Sequence, residues 1–497
     1  ADHLAGLPAG RFRAPQARHR ARCRTAHRSR ASLNRPLVRM IAAFLLLGLS
    51  LPEEQTIRLY SRPIELRPGQ VHNRVDPPIQ LPNGLSRSIA VTSFEVDVVE
   101  VTEDGRERSV PLYEGYNHHF ITLLGSLEQM QRLYNHSAGQ DPLGGECVKP
   151  SHDHGMLGTN GNRAHKQGYS QFGGASGAEF RNNPHDFPAP YAFVLRNVSH
   201  FLTVLHVINS KGFAPSKAAG SSTRLLECPC TPQRKIDVAA GTIDGCLPRP
   251  AFHCSDTLVA QGNGGCSLAA YTGGYRCCED GVHLVDTDKH PEVLTGPVST
   301  FQLKFTIHYH DFDPRRDREL RPTSCCDVTQ GARASGASGR RDFLSGNIEY
   351  NIPKCAEGTP ASACVHVATN VQMLDWSGEG DTDEADEVIE LVHAAGHMHL
   401  GGMHIDLIDE LTGQLVCRST PTYGSSAAAG DEAGFLVGIQ PCVWGPLPLK
   451  APPRFKRSHP MRTIAHYNSS VEHTGVMSLW LMSAAAVKDA PRPAMSS

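Results

Sequence analysis

The 497-residue chain lacks the features that define several large classes of protein. Its formal net charge is only −2, so bulk electrostatics predict neither nucleic acid nor an anionic membrane surface as a partner. No apolar run reaches the roughly 18 residues that a membrane-spanning helix needs, so no membrane span is predicted. Aromatic residues make up only 6%, and the short apolar runs are broken by Gly and Pro, which favours strands and turns over helical bundles.

Familiar catalytic signatures are missing as well. The chain has no H-E-x-x-H zinc-protease motif, no P-loop and no G-x-S-x-G nucleophile elbow. It also lacks the paired C-x-x-C knuckles that hold structural zinc. The acidic run "GEGDTDEADE" is interpreted as a solvated loop rather than a calcium site. Chemistry therefore has to be sought among the 26 histidines, the methionines and the cysteines.

Cysteine usage predicts disulfide bonds. There are 15 cysteines, and setting aside Cys23 leaves an even number, with adjacent pairs at 277–278 and 325–326. Spacings such as "ECPC" and "GGYRCCEDG" could bind metal, but disulfide stapling is the favoured interpretation. An oxidising, extracellular or secretory compartment is therefore expected.

The first 51 residues are predicted to be a leader. Residues 1–39 are rich in Arg and nearly free of acidic residues, and "MIAAFLLLGLSLPEE" from Met40 has the layout of a signal peptide. We expect Met40 to be the initiator and residues 1–39 to be a spurious extension, with an organelle transit segment as the alternative. Three Asn-x-Ser triplets agree with a secreted glycoprotein, namely Asn135, Asn197 and Asn468.

The rest of the chain is predicted to be all-β, with two antiparallel jelly-roll-like β-sandwich domains and a cysteine-rich insertion. The N-terminal sandwich spans 52–330 and carries the insertion at 211–296. A Gly/Ser/Arg-rich linker at 331–345 precedes the C-terminal sandwich at 346–488. Residues 489–497 form a tail.

Alternating apolar residues predict which residues share a face in two strands. In "FQLKFTIHYHDFD", every second residue from Phe301 to Tyr309 lies on one side. In "SIAVTSFEVDVVEV", Ile89 and Val91 lie on one side and Phe94 on the other. The Gly-, Asn- and His-rich stretch that follows "EGYNHHFITLLGS", up to about residue 185, predicts a loop.

Three His-x-His pairs occur where about one or two are expected by chance: His152 with His154, His308 with His310, and His397 with His399. On a strand, residues two apart point the same way, so the last pair would present both imidazoles to one face. In the same domain, Met477 begins an apolar strand. A thioether beside two imidazoles suits copper, particularly Cu(I), whereas the structural alternative for this methionine is core packing.

A second histidine group lies in the first domain. His118 and His119 are adjacent in "YNHHF", so on a regular strand they would point to opposite faces, and joint ligation would require a local twist or bulge. The third imidazole would come from a neighbouring strand. The candidates are His206 and, behind it, His200, His308 and His310. Three imidazoles suit copper or zinc equally well by ligand type.

The order of these residues resembles that of the copper type II, ascorbate-dependent monooxygenases, which include the peptidylglycine- and dopamine-hydroxylating enzymes. The shared order is His-His, a strand His, His-x-His with a following Leu-Gly, and a late Met in a final strand. The resemblance implies two sandwiches whose coppers face each other across an open cleft. It also implies an electron-transferring copper and a copper that uses dioxygen to hydroxylate a C–H bond, with ascorbate supplying electrons singly. The implied ligands are His118, His119 and His206 for the first, and His397, His399 and Met477 for the second.

The sequence is also similar, and more closely, to the plant stress-up-regulated nodulin family. The blocks that carry this resemblance cover most of the chain from about residue 110 to 485, in the family's order. They include "YNHHF", "PAPYAFVL", "LHVINSKG", "ECPC", "GGYRCCEDG", "EYNIPKC", "GHMHLGG", "LVCRSTPTYG", "DEAGFLVGIQPC" and "HTGVMSLWL". The resemblance identifies relatives but implies no settled reaction.

The chain departs from the peptide-hydroxylating enzymes beside the second copper ligands. Ala395 stands where those enzymes place an Arg, and Leu479 and Leu481 replace their Asn and Tyr. A peptide carboxylate would lose its partners, so the resemblance predicts an apolar or carbohydrate-like small molecule instead. Three hypotheses follow: a secreted copper monooxygenase, a non-catalytic secreted glycoprotein that binds copper, and an extracellular wall or matrix interaction module.

Overall fold

The computed structural model describes most of the two predicted sandwiches. It covers residues 53–82, 88–101, 106–138, 170–173, 181, 185–212, 236–237, 242–243, 295–323, 326–328, 334–335, 340–341, 350–374, 388–456, 459–471 and 473–487. The described residues belong to one compact unit, Glu53–Ser497. The predicted leader and tail, almost all of the cysteine-rich insertion, most of the linker, and His152 with His154 lie outside them. Those predictions stay predictions.

The described residues contain one α-helix, α1 (Leu127–Ala138), and strands that are numbered in chain order. Those up to residue 320 are β1 (Gln55–Tyr60), β2 (Ile64–Leu66), β3 (Val71–Val75), β4 (Ile79–Gln80), β5 (Ile89–Val101), β6 (Glu107–Ser109), β7 (Gly115–Gly125), β8 (Ser170–Gly173), β9 (His185–Asp186), β10 (Tyr191–Leu195), β11 (His200–Asn209), β12 (Ile236–Asp237), β13 (Thr242–Ile243), β14 (Ser299–Asp311) and β15 (Arg318–Glu319). The later strands are β16 (Arg321–Thr323), β17 (Ala334–Ser335), β18 (Arg340–Arg341), β19 (Tyr350–Ile352), β20 (Val365–Met373), β21 (Val388–Met398), β22 (Gly402–Asp409), β23 (Leu415–Ser419), β24 (Pro421–Tyr423), β25 (Leu436–Ile439), β26 (Cys442–Val443), β27 (Arg454–Lys456), β28 (Pro460–Asn468), β29 (His473–Val476) and β30 (Ser478–Ala486).

The predicted all-β sandwich fold is confirmed. In the first sandwich, one sheet has the order β1-β14-β5-β10-β15 and the other the order β3-β11-β7-β8. In the second sandwich, the sheets are β16-β30-β21-β26 and β20-β28-β22-β23. Pairing is antiparallel throughout these sheets except between β10 and β15, which run parallel. Two disulfides join described residues of the second sandwich, Cys355–Cys364 and Cys417–Cys442, and they bear out the prediction of disulfide bonds.

The predicted sharing of faces is confirmed for the alternate residues of β14. For β5 it is wrong at the N-terminal end of the strand. The alternate residues of β14 from Phe301 to Tyr309 all lie in the first core. Ile89, Val91 and Phe94 of β5 lie in that same core, although the alternation placed them on opposite sides. The register with β14 shifts between His308 and Tyr309, so that Thr92 is an extra residue. A bulge of this kind returns the residues on both sides of it to one face.

Helix α1 corrects the prediction of a loop after residue 126. Its first turn is closed by a capping box: Ser126 Oγ accepts the Gln129 N–H at 3.2 Å, and Gln129 Oε1 accepts the Ser126 N–H at 2.8 Å. Met130 and Leu133 lie on its buried side, where they pack with Leu123 and other residues against the outer face of the sheet that contains β7 and β11. The helix therefore covers one side of the first sandwich.

The chain has already entered the second sandwich before the predicted linker. Residues Arg321–Thr323 pair with Met482–Ala484 of β30, and Asp327 bridges Leu479. The strand that opens the second sandwich therefore lies upstream of residue 331.

Glu390 joins the two sandwiches through a cluster of charges in which its own carboxylate is buried. Its Oε1 accepts hydrogen bonds from Arg454 Nε at 3.0 Å and Nη2 at 2.7 Å, within the second sandwich. Its Oε2 accepts hydrogen bonds from Tyr191 Oη at 2.9 Å and from Arg318 Nη1 at 2.5 Å, both in the first. Burial opposes ionisation, but the bonds from Arg454, Tyr191 and Arg318 outweigh it and lower the pKa of Glu390.

Removing this carboxylate should be costly. In Glu390→Ala, two guanidinium groups lose their shared partner, and losing hydrogen bonds to a buried charged group costs about 1.5–3 kcal/mol. The matched control is Glu319→Ala, which breaks the more exposed pair with Arg196, where about 1 kcal/mol or less is expected. Denaturant unfolding of both variants measures the difference. Equal losses of unfolding free energy would contradict the role assigned to Glu390.

A second contact between the sandwiches consists of aromatic rings. His393 of β21 is 1% exposed, and its ring centroid lies 4.7 Å from that of His185 and 5.8 Å from that of Phe187. Neither ring nitrogen of His393 has a hydrogen-bond partner among the described residues. Burial, reinforced by the charge of a protonated His185, lowers the pKa of His393 well below its usual value of 6.5.

This lowered pKa makes stability sensitive to acid. Below pH 6.5 the unfolded chain binds a proton at His393 that the folded chain does not, so stability is complete at higher pH. It then declines by at most about 1.4 kcal/mol per pH unit as the pH falls toward the folded-state pKa. His393→Leu should therefore flatten the stability profile between neutral pH and pH ~5. Parallel profiles for the two proteins, measured by denaturant unfolding, would refute this assignment.

Candidate metal centres

His397 lies on the face of β21 that is turned away from the second core. Residues Ala394 and Met398 of β21 belong to that core, and strand alternation places His397 on the other face, together with His393. His393 contacts the first sandwich through His185. His397 therefore lies on the side of β21 that faces the first sandwich, and it is only 2% exposed.

The structure brings His397 and His399 together. Their ring centroids are 5.2 Å apart, and the rings are perpendicular. His399 is half-buried and follows the last residue of β21, so the two rings differ in their access to solvent. Neighbouring imidazoles on one face are the arrangement that the His-x-His spacing predicted.

Met477 lies across the strand pair from His399. In the register of β21 with β30, His397 pairs with Leu479 and Met398 with Ser478. The pairing ends there, with His399 following Met398 and Met477 preceding Ser478, so the two residues lie side by side just beyond the strand pair. Met477 is 2% exposed, so its backbone position is compatible both with a thioether ligand and with ordinary packing.

Tyr467 connects the two strands at this point. Its hydroxyl accepts a hydrogen bond from the His399 backbone N–H at 3.0 Å and donates one to the Met477 carbonyl oxygen at 2.7 Å. Ser478 Oγ also donates to the Met477 carbonyl oxygen, at 2.8 Å. Tyr467 is fully buried, and its hydroxyl therefore holds the backbones of His399 and Met477 at a fixed separation.

The turn after His399 is held in a similar way. Tyr423 Oη accepts the Gly401 N–H at 3.1 Å and donates to the Gly402 carbonyl oxygen at 2.7 Å. Burial raises the pKa of Tyr423 to about 12, so this hydroxyl keeps its proton at physiological pH. Gly401 has φ of +92°, and a Cβ there would lie 2.5 Å from the ring of His473. Only glycine fits this position without displacing the neighbouring ring.

The first histidine group consists of His118, His119 and His206, of which only the side chain of His206 is described. His206 of β11 is fully buried and pairs in register with His119 of β7. Val207 pairs with Asn117, so His118 is the extra residue of a bulge. A bulge is the backbone feature that joint ligation by adjacent histidines requires. The side chains of His118 and His119 lie outside the described residues, so their convergence with His206 stays a prediction.

The other candidates for a third imidazole occupy different places. His308 forms a hydrogen bond with Thr56, and His310 with Asp317. His200 interacts with Ser199 at the far end of β11, where it pairs with Gly125. Among the described residues, no three side chains of His, Cys, Asp or Glu converge closely enough to hold a metal ion.

Sequence reasoning missed Tyr467 and Tyr423. Both act through hydroxyl contacts with backbone atoms on distant strands. Tyr467 is visible in the sequence only as one aromatic residue in "IAHYNSS", where strand alternation marks it as a core position. No short-range motif could have indicated that its hydroxyl joins His399 to Met477.

The fold and these sites define a two-sandwich, all-β protein with two neighbouring histidines at the end of a strand pair. Residues 53–487 match the family model described as Stress up-regulated Nod 19, and the chain belongs to that family. No curated protein matches the chain. The predicted relation to the copper monooxygenases finds no support in these comparisons and stays a prediction.

The chain is also similar to a solved structure titled "Crystal structure of infectious bursal disease virus VP2 subviral particle". The identity is 10%, and the match covers 90% of this chain and 77% of that chain. The TM-score is 0.11, so this likeness carries no argument.

No helix among the described residues is long and apolar enough to cross a membrane. The two disulfides are compatible with a secreted or lumenal protein.

The hydroxyl of Tyr467 can be tested apart from any metal. Tyr467→Phe leaves the His399 N–H and the Met477 carbonyl oxygen without their partner, which should lower the free energy of unfolding by about 1–3 kcal/mol. The amide hydrogen of His399 should also exchange faster with solvent. Tyr309→Phe is the control, since it removes a hydroxyl that donates to Gln55 Oε1 at 3.1 Å within the first sandwich. Unchanged exchange at His399 in Tyr467→Phe would show that this bond does not hold the strand end.

Proposed function

We propose that this protein is a secreted copper-binding oxidoreductase with two separate copper centres, one at His118, His119 and His206 and one at His397, His399 and Met477. The observation that supports the proposal is the contact between the rings of His397 and His399 at the end of the β21–β30 pair, next to the segment that contains Met477. Two imidazoles and a thioether form a soft, mixed donor set that suits copper. His397 and Met477 are each 2% exposed, and the half-buried His399 is the member of this set that reaches solvent.

The proposed reaction is the hydroxylation of a C–H bond. One atom of dioxygen enters the substrate and the other leaves as water, while a reductant such as ascorbate supplies two electrons, one at a time, and two protons. Copper bound at these residues would supply the one-electron and dioxygen chemistry. The protein would contribute ligands on a rigid strand pair, with Tyr467 holding the strand ends together.

The surroundings of His397 favour an apolar substrate or an uncharged one. Ala395 and Leu481 pair across β21 and β30, and Leu479 is paired with His397 itself. Strand parity puts these residues on the same face as the two histidines. They offer no charged partner for a carboxylate, which supports an apolar or carbohydrate-like small molecule over a peptide with a free carboxyl end.

The alternative is a secreted stress-related glycoprotein of the same fold that catalyses nothing, either binding copper or acting as a wall or matrix interaction module. Fold does not decide between these functions. Copper stoichiometry, combined with ascorbate-dependent oxygen consumption, distinguishes these functions from one another.

The deciding experiment is copper binding by secreted, chelator-washed and copper-reloaded protein. We expect two coppers per chain in the wild type. His397→Ala and Met477→Ala should each weaken one copper, and His206→Gln should weaken the other. Far-ultraviolet circular dichroism and thermal unfolding of each variant identify any loss that is due to misfolding.

Two controls separate ligation from general affinity for histidine and methionine. Met403→Ala removes a methionine that is 42% exposed and lies just beyond the turn after His399. His466→Ala disrupts a stacked pair with His404, whose ring centroid lies 4.1 Å away. Neither control should change the copper content. No bound copper in the wild type, or equal loss in Met477→Ala and Met403→Ala, would rule out the copper proposal.

A further inference from the structure

Asn468 lies next to the candidate site at the end of β28 and is the first residue of an Asn-Ser-Ser triplet. Its backbone N–H donates to the Gly401 carbonyl oxygen at 2.8 Å, and its carbonyl oxygen interacts with His473 Nε2 at 3.0 Å. Ser469 is bonded through both its N–H and its carbonyl oxygen to Cys364 and Cys355. The backbone of this segment is therefore fully engaged.

The side chain of Asn468 is in a different situation. It is exposed, and its Oδ1 accepts the Ser470 backbone N–H at 2.9 Å, which forms an Asx turn. Its Nδ2 makes no hydrogen bond to any described residue. The turn orients the carboxamide while leaving its nitrogen accessible, and that nitrogen is the atom to which an N-linked glycan is attached.

Exposed apolar side chains belong to the segments that are joined to this position by backbone hydrogen bonds or by the chain itself. Leu400 is 45% exposed and precedes Gly401, to which Asn468 is bonded, and Val471 is 56% exposed three residues beyond Asn468. Tyr423, which holds Gly401 and Gly402, is 40% exposed. Where exposed apolar side chains form one contiguous patch, the patch often marks a surface that is covered by a ligand or a partner. A glycan is bulky and hydrophilic, and it can cover such a cluster without an additional protein partner.

We propose that Asn468 carries an N-linked glycan that covers the apolar rim of the turn that follows His399. In the attachment step, Nδ2 forms a C–N bond to the anomeric carbon of a lipid-diphosphate-linked oligosaccharide from the secretory pathway. The bond between that carbon and the diphosphate oxygen breaks, and Nδ2 loses one proton. The inference depends on entry into the secretory pathway, but it does not depend on copper.

The Asn-x-Ser triplets at Asn135 and Asn197 lie in different surroundings from the triplet at Asn468. Asn135 lies within α1, where its Oδ1 already accepts a hydrogen bond from Gln131 at 2.8 Å. Asn197 is exposed in the turn between β10 and β11, with φ of +53°. Among the described residues, neither has a contact with the candidate site. A glycan at either position would leave the rim formed by Leu400, Val471 and Tyr423 uncovered.

The test is site-resolved peptide mass spectrometry of full-length protein secreted from a eukaryotic host, before and after enzymatic removal of N-glycans. We expect glycan on the Asn468 peptide in the wild type and in Ser470→Thr. We expect none in Ser470→Ala, which destroys the acceptor triplet but keeps both Asn468 and the backbone N–H that forms the turn. Asn468 without glycan in the secreted wild-type protein would overturn the proposal.

A separate measurement tests whether the glycan covers the apolar rim. An apolar-surface dye such as anilinonaphthalene sulfonate should bind more strongly to Ser470→Ala and to Asn468→Gln than to the wild type, and no more strongly to Asn135→Gln. Equal dye binding by all four proteins would show that the glycan does not cover the rim. A glycan at Asn468 in protein that binds no copper would refute the proposed function alone, while copper without a glycan at Asn468 would refute this inference alone.

Discussion

Strand β21 is buried on both faces, and the rest of the described structure depends on this constraint. Every residue from Ile389 to Met398 is buried. One face contributes to the second core, while Val392, the extra residue of a bulge between Leu391 and His393, contributes to the first core. A strand that is covered on both sides normally consists almost entirely of apolar residues. This one carries Glu390, His393 and His397, so the burial of each polar group needs its own physical explanation.

The three polar residues are accommodated in different ways. Glu390 stays ionised because two arginines and a tyrosine surround its carboxylate. His393 is kept neutral by burial beside His185 and Phe187. His397 lies next to the half-buried ring of His399, near the point where the strand reaches solvent. Along one strand, the environment therefore changes from the ion cluster at Glu390, through the buried aromatic contacts of His393, to the candidate ligand His397.

Much of the fold could be predicted because it depends on local pattern. The strict alternation of β14 placed its buried face correctly. The capping box at Ser126 and Gln129 was equally visible, but the Gly-, Asn- and His-rich composition downstream outweighed it in the prediction. The bulge at Thr92 could not be predicted in this way. A bulge is defined by the partner strand, and that partner lies more than two hundred residues away in the sequence.

The candidate site also has one part that local sequence pattern predicts and one part that depends on the pairing of distant strands. The spacing of His397 and His399 is a property of one strand, so the sequence was sufficient to predict that they meet. The position of Met477 depends on the register between β21 and β30, which no local motif encodes. A shift of that register by one residue would turn Met477 to the opposite face and leave the two histidines where they are. The thioether is therefore the member of the set whose position depends most on tertiary structure, and Tyr467, which joins the backbones of His399 and Met477, is the side chain best placed to prevent that shift.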